Sequence, residues 1–376
     1  MASSGAHAFR ERIFKEGKLV NNMTHSAASK NATTPVETQG VKYAGSKRQL
    51  LPHILRLVQE VGGETILDGF AGTTRVSQAL SRRNHRLICN DISAWTETFA
   101  TCYLLNRQQP EHYRELIEHL NQLPPLDGWF TKHYGGQAND GDAVQADGLK
   151  KPWQLHNTYK LDAIREEIER LELCPIERAV AITSLILALD KVDNTLGHYS
   201  SYLKRWSPRS FNKLLLEIPK LQVTRDDHEV HRGDIFDVVN SCDVDIAYLD
   251  PPYGSNNEKM PPSRVRYAAY YHLWSTICLN DRPELFGKAL RRADTSDRQA
   301  ATVFEEFRRN QSTGKFLAVE AIERLVQQVK ARHVILSYST GGRATAENLH
   351  EVLRAAGKLL KVVEVDHKRN VMAQMT

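Results

Sequence analysis

Glu64-Thr-Ile-Leu-Asp68-Gly69-Phe-Ala-Gly72-Thr-Thr74 is followed, after a short helical stretch at Arg75–Arg82, by His85-Arg-Leu-Ile-Cys-Asn90-Asp91. Each run carries a few apolar residues and ends in an acid. The first then breaks into a glycine turn. Strand, glycine turn, helix and strand make a βαβ unit, and such a unit implies a parallel sheet. Working outward, a helical pattern covers Lys47–Glu60, and strand patterns return late. They are Asp245-Ile-Ala-Tyr-Leu-Asp250, Val334-Ile-Leu-Ser337-Tyr338 and Leu359–Val365. Between Ser93 and Leu221 the chain reads as mostly helical, with an amphipathic helix over Asn157–Leu171 and a more apolar one over Ile176–Lys191. A Gly- and Asp-rich loop lies at Gly135–Gly148. The fold class is therefore α/β: a mixed, mostly parallel, Rossmann-like sheet interrupted by a helical insertion, with no internal repeat.

The 376 residues suffice for one large domain with an insertion. The expected division is a flexible segment at 1–39, a catalytic domain from 40–94 and 226–376, and the helical insertion at 95–225. Residues 1–39 are rich in Ala, Ser, Thr and Asn, with a short helix expected around Phe9–Glu16. The net charge of +5 permits a polyanionic partner without demanding one. Five cysteines with no CxxC pair argue against a zinc site and a disulfide framework, and suggest a reducing cytosol. No apolar run approaches the roughly 20 residues of a membrane span, and the first residues hold no apolar signal core. No metal and no membrane are expected.

Candidate chemistry sits at the strand ends. In Asp68–Thr73 the glycines let backbone approach a ligand, and a following helix start offers unpaired N–H groups. The pattern is neither GxGxxG nor a phosphate loop. An acid before the glycines repels phosphate and suits an ammonium group, such as that of the methionine part of S-adenosylmethionine (AdoMet). The same turn can also close a βα unit with no ligand. Asp91 ends the second strand, where an acid commonly holds ribose hydroxyls, and Ile92 can cover an adenine ring. Asp91 can equally cap the next helix. In Gly233-Asp234-Ile235-Phe236 the acid can accept from an adenine amino group, or serve as a plain loop residue.

Asp250-Pro251-Pro252-Tyr253 follows the apolar run Ile246–Leu249. Paired prolines remove backbone donors, hold the chain extended and expose carbonyls. A carboxylate and a carbonyl can together accept both hydrogens of an exocyclic amino group. That aims its lone pair at an activated methyl, so positioning and electrostatics supply the rate. Tyr253 can stack on an extruded base.

At these residues the sequence resembles the Dam-like adenine-specific DNA methyltransferases. Lys42-Tyr43-Ala44-Gly45-Ser46-Lys47 is similar to the family's N-terminal cofactor motif. Asp68-Gly-Phe-Ala-Gly72, Asn90-Asp91, Gly233-Asp234 and Asp250-Pro-Pro-Tyr253 follow in the family's α-type order. Ile164-Arg165 and Asn194-Thr-Leu-Gly197-His198-Tyr199 are also similar to this group. The likeness covers roughly Val41 to Ser339. It implies AdoMet as cofactor, with Lys42, Tyr43, Gly45 and Lys47 beside Asp68, Phe70, Ala71, Gly72, Thr73, Asp91, Ile92, Asp234, Ile235 and Asp250. It implies double-stranded DNA as substrate and a bacterial or phage-type cytoplasmic setting, and it leaves open whether a restriction endonuclease is a partner. Two departures stand out: Gly69 where Pro is common, and Thr74 where many relatives have a third glycine.

For DNA contact, Asn194–Leu216 has no acidic residue and interleaves Lys204, Arg205, Arg209 and Lys213 with Tyr199, Tyr202, Trp206 and Phe211. An amphipathic helix with core aromatics is the other reading. Arg264, Arg266 and Tyr267 follow the catalytic strand and complete the DNA-binding candidates. Cytosine in DNA, a base in RNA, a protein amide, and DNA binding without catalysis are the rival functions.

Overall fold

The computed structural model describes the backbone of residues 9–16 and, in full, residues 37–138, 140–254, 266–296 and 302–366, with the backbone of 367. The strands of its main sheet are β1 (Phe9–Glu16), β2 (Thr65–Asp68), β3 (Arg86–Asp91), β4 (Glu229–Arg232), β5 (Asp243–Leu249), β6 (Lys330–Ser339) and β7 (Leu359–His367). They form one sheet in the order β7-β1-β6-β5-β2-β3-β4. From β6 to β4 every neighbouring pair is parallel. β1 is antiparallel to both β6 and β7.

Phe9–Glu16, expected as a helix, is thus a strand. Apolar residues at 9 and 13 have helical spacing, but β6 and β7 do not pair with each other and leave a gap between them. A strand there gives both ladders partners for their backbone N–H and C=O groups, which a helix would leave unmet. The short β4 carried no legible strand signal.

Alternation along the central strands buries both faces of the sheet. Ile66, Ile246, Tyr248 and Ile335 pack with α1 (Leu51–Val61) and α2 (Arg75–Ser81). Their sequence neighbours Leu67, Ala247, Leu249 and Leu336 face the other way, towards α8 (Ile235–Val238), α11 (Leu317–Gln328) and α12 (Ala346–Ala356). Double coverage is what a parallel sheet requires. In α11, Ala318, Ile322 and Leu325 recur at helical spacing, and α12 opens with a reciprocal Thr345–Asn348 cap.

A third core belongs to the helical layer: α3 (Ala94–Ala100), α4 (Arg114–Gln122), α5 (Trp129–Tyr134), α6 (Leu155–Arg170) and α7 (Pro175–Val192). This core also takes in Tyr271, Leu273, Trp274 and Ile277 from α10 (His272–Leu279), which follows the four-residue α9 (Tyr267–Tyr270). The layer is therefore closed by chain from beyond β5. Asn194–Leu216, by contrast, forms no amphipathic helix. It is irregular apart from a single 3-10 turn at Pro208–Phe211. Among the described residues no helix is long and apolar enough to cross a membrane.

Candidate active site

Because β2, β3 and β5 run parallel, their carboxyl ends share one edge of the sheet, where open α/β sheets bind ligands. Asp68 and Asp91 end β2 and β3, and Asp250 follows β5. A single cleft at that edge, with an open volume of about 1030 Å³, is lined by all four residues of the Asp250–Tyr253 segment. Every candidate cofactor residue except Lys42 lines it too.

The glycine turn explains both sequence departures. Gly72 has φ of 49° and Thr74 has φ of 58°. Both lie in the left-handed region that glycine enters freely and a β-branched residue does not. Relatives with glycine at the third place avoid that strain. Here Thr74 is held by its N–H to the Ala71 carbonyl at 2.8 Å and by Gln78 donating to its hydroxyl at 2.9 Å. A Cβ on Gly69 would meet the Ile235 and Leu249 side chains at 3.0 Å. Its conformation needs no proline.

The three acids differ. Asp91 accepts from the Gly72 N–H through Oδ2 and from the Ser93 N–H through Oδ1, both at 2.9 Å. It therefore ties the glycine turn to the start of α3 while facing the cleft. Burial raises its pKa, opposed by those N–H groups. Asp68 is fully buried, and its Oδ2 accepts from the Ser77 hydroxyl at 2.6 Å. Its Oδ1 has no hydrogen-bond partner. Burial pushes the carboxyl up to about 7, against the Ser77 hydrogen bond and reinforced by Asp250 and Asp91. A buried carboxylate oxygen without a donor fits a cationic ligand group. Asp234 caps α8, accepting from the Phe236 N–H at 3.0 Å, and also lines the cleft. Ile92 is 49% exposed, which leaves its side chain available to cover a ring.

Asp250 is engaged on both oxygens. Oδ2 lies 2.9 Å from the Lys47 ammonium, and Oδ1 accepts from the Tyr253 hydroxyl at 2.5 Å. Lys47 is 6% exposed and donates to the Tyr253 hydroxyl at 2.6 Å as well. Acid, aromatic and lysine are thus joined in one triangle at the mouth of β5.

The profile of the D12 class N6 adenine-specific DNA methyltransferases matches residues 43–328. The chain belongs to this family. It is an enzyme that methylates adenine in DNA. The chain is 25% identical over 338 residues to the type II methyltransferase M.NlaIII of Neisseria lactamica, covering 88% of this chain and 92% of that one. It is 28% identical over 328 residues to the modification methylase StsI of Streptococcus sanguinis. That match covers 84% of this chain and 46% of the longer StsI. A viral relative, M.CviAII of Paramecium bursaria Chlorella virus 1, is 24% identical over 340 residues, 88% of this chain and 92% of the relative. Family membership sets aside the cytosine, RNA, protein-amide and non-catalytic readings.

Within this methyltransferase several candidates stand elsewhere than expected. Lys42 does not reach the cleft. Its ammonium donates to the Asp190 carbonyl at 2.5 Å and the Asp193 carboxylate at 2.6 Å, at the end of α7. Tyr199 is 1% exposed and packs against Trp153 and Trp274, and Arg266 is 4% exposed and donates to the Ser296 carbonyl. Both are interior, so neither side chain reaches DNA in this conformation. Tyr202 and Trp206 are buried too, which leaves Phe211 as the exposed aromatic of that stretch. Arg209 is half-buried on Asp193 and the Thr195 carbonyl. Lys204, Arg205 and Lys213 are exposed. Tyr267 lines the cleft beside Tyr43, and Arg264 lies outside the described residues.

Sequence reasoning missed Ser77, which carried no motif. It also missed Phe304, which edges against Phe70 and stacks on Phe236 as part of the cleft wall. A phenylalanine in a stretch without periodicity gives no signal of that kind.

Proposed function

We propose that the enzyme takes its methyl group from AdoMet and delivers it directly to N6 of an adenine extruded from a specific short duplex sequence. The observation that carries this reading is the unpartnered, buried Asp68 carboxylate oxygen in the same cleft as the Asp250–Tyr253 segment. AdoMet supplies, when bound, a methyl group activated by its sulfonium sulfur. Asp68 would hold the ammonium side of its methionine part, and the Gly69–Gly72 backbone would pass beneath it. Asp91 would accept from the ribose hydroxyls, with Ile92 and Ile235 against the adenine and Asp234 at its amino group. Tyr43, Gly45, Phe70, Ala71 and Thr73 complete the wall.

At the substrate end Asp250 and the Pro251 carbonyl would each accept one amino hydrogen of the target adenine, and Pro252 would keep the backbone extended. Tyr253 would stack on the base. Lys47 and Tyr253 each bond one Asp250 oxygen, and the remaining lone pairs of the carboxylate would receive the incoming amino hydrogen. Lys204, Arg205 and Lys213 are the exposed cations that would meet phosphates. Five unbonded cysteines suit a reducing cytoplasm. A companion restriction endonuclease of the same target sequence would explain the need for modification.

The test is transfer of labelled methyl from AdoMet to unmethylated duplex DNA, followed by digestion to nucleosides. Label in N6-methyl-2′-deoxyadenosine with wild type, and none with Asp250→Ala, is expected. Turnover by Asp250→Ala at the wild-type rate would sink the assignment.

A further inference from the structure

The Asp250–Tyr253 segment is anchored at its start by β5. Its other end is held by a different strand. The Tyr253 carbonyl accepts from the Arg343 N–H at 2.9 Å and from the Tyr338 hydroxyl at 3.1 Å. Tyr338 lies near the end of β6, is 1% exposed, and sets its ring edge-on to that of Tyr253, with centroids 5.0 Å apart and planes at 68°. Its hydroxyl in turn accepts from the Ala344 N–H at 3.3 Å. One phenol therefore links the catalytic segment to the turn that follows β6.

The packing around that link leaves no slack. A Cβ on Gly342 would stand 2.5 Å from the Tyr338 ring and 3.0 Å from the Tyr253 carbonyl oxygen. Gly254 has φ of 60°, and a Cβ there would stand 2.5 Å from the Arg343 guanidinium. Gly342 is required by close approach to the Tyr338 ring and the Tyr253 carbonyl, and Gly254 by its left-handed backbone. Burial pushes the Tyr338 phenol up to about 12, so it is a neutral donor at working pH.

We infer that Tyr338 is a positioning residue for methyl transfer: its hydroxyl fixes the Tyr253 peptide and so the orientation of the ring and carboxylate that receive the target adenine. This rests on the proposed role of the Asp250–Tyr253 segment. The physical reason is that direct transfer needs the acceptor nitrogen aligned on the methyl group. A freed peptide lets the stacking ring and its bond to Asp250 drift from that geometry. A core tyrosine with only a packing role would be indifferent to losing its oxygen in the transfer step.

The experiment compares full-length wild type, Tyr338→Phe and Gly342→Ala. Single-turnover methyl transfer is measured on DNA that wild type modifies, together with AdoMet affinity, KM for DNA and thermal midpoint. Tyr338→Phe keeps the ring and removes the hydroxyl. Gly342→Ala keeps the hydroxyl and displaces its contact. The expected result for both is a transfer rate lower by about tenfold, the scale of one lost neutral hydrogen bond. AdoMet affinity and KM for DNA stay at wild-type values. An unchanged rate in Tyr338→Phe overturns the inference. So does a fall matched by equal losses in AdoMet affinity and thermal midpoint, which would make Tyr338 a core residue only. Wild type that fails to methylate adenine overturns the underlying reading of the site, and this is seen before either variant is compared.

Discussion

If Asp68 holds the AdoMet ammonium as proposed, AdoMet binding should be a proton-coupled event. Its carboxyl is fully buried and raised from 3.8 to about 7, mainly by desolvation. Below pH 3.8 both the folded and unfolded chains hold the proton. Between there and about 7 the unfolded chain ionises while the fold keeps its proton, so stability without ligand falls as pH rises and levels off above about 7. The shift corresponds to roughly 4 kcal/mol, an upper bound for one buried group. A ligand ammonium beside the unpartnered oxygen favours the charged form, so binding selects ionised Asp68. At pH 6 only about a tenth of a group titrating near 7 is ionised, so the apparent Kd should be roughly tenfold weaker than at pH 8. The ligand's own amino group titrates near ~8, and this affects every variant equally. The quantity to read is therefore the wild-type Kd divided by that of Asp68→Asn at each pH. Calorimetry in buffers of different ionisation enthalpy measures the proton release directly. Asp68→Asn should bind AdoMet more weakly at pH 8, release no proton from this site, and lack the fall in ligand-free stability between pH 5 and 7. A ratio that stays constant from pH 6 to 8 would refute the reasoning, because it would mean that the ligand does not distinguish the two states of Asp68.

Ser77→Ala removes the hydroxyl that holds the Asp68 carboxyl down, so the inflection in AdoMet affinity should move to higher pH; an unmoved inflection would show that Ser77 does not act on the ionised acid. Asp250→Ala should abolish methyl transfer while leaving AdoMet affinity within about twofold, since Asp250 is placed to meet the base; equal loss of binding would place it in the cofactor site instead. Replacing Lys204, Arg205 and Lys213 with alanine should lower DNA affinity and reduce the slope of log K against log salt by about one for each phosphate contact removed. A slope identical to wild type would move the DNA surface elsewhere. Tyr338→Phe should separate transfer rate from AdoMet affinity as set out above.

The central strands β2, β3, β5 and β6 and the cleft were legible because both are written in local sequence. Asp68 and Asp91 each close an apolar run, and prolines straight after Asp250 leave little else for that segment to be. The helices over 155–170 and 175–192 were legible as long runs without glycine, the second opening on Pro175 at its first position. The remainder depended on tertiary partners. Phe9–Glu16 has a composition that suits either helix or strand, and an unfilled slot between β6 and β7 decided it. In Asn194–Leu216, aromatic and basic residues alternate as they would on a nucleic-acid surface. The fold instead turns Tyr199 and Tyr202 inward among Trp153, Trp274 and the surrounding helices, buries Trp206 with its indole N–H on the Gln137 carbonyl, and leaves the lysines outside. No spacing rule separates those outcomes, since an irregular segment has no fixed period of side-chain direction.

Lys42 and Lys47 show why one short motif carries two lysines. Lys47 reaches Asp250 and Tyr253, while Lys42 points the opposite way and is fixed on Asp190 and Asp193. Between them the Ala44 N–H donates to the Tyr271 hydroxyl at 2.6 Å, and the Tyr43 ring packs on Tyr271 and Trp95. The six residues therefore touch the helical layer, the helix beyond β5, and Asp250 in turn. Asp193 is fully buried and also receives the Arg209 guanidinium at 2.8 Å. Lys42 and Arg209 together satisfy a carboxylate that would otherwise be costly to bury. The lysine that misses the cofactor cleft is then the anchor that sets where the second lysine stands. A neutral side chain of equal length at 42 would leave Asp193 with one cation, while the backbone N–H of residue 42, which donates to the Asp190 carboxylate at 3.1 Å, would still tie the segment to α7.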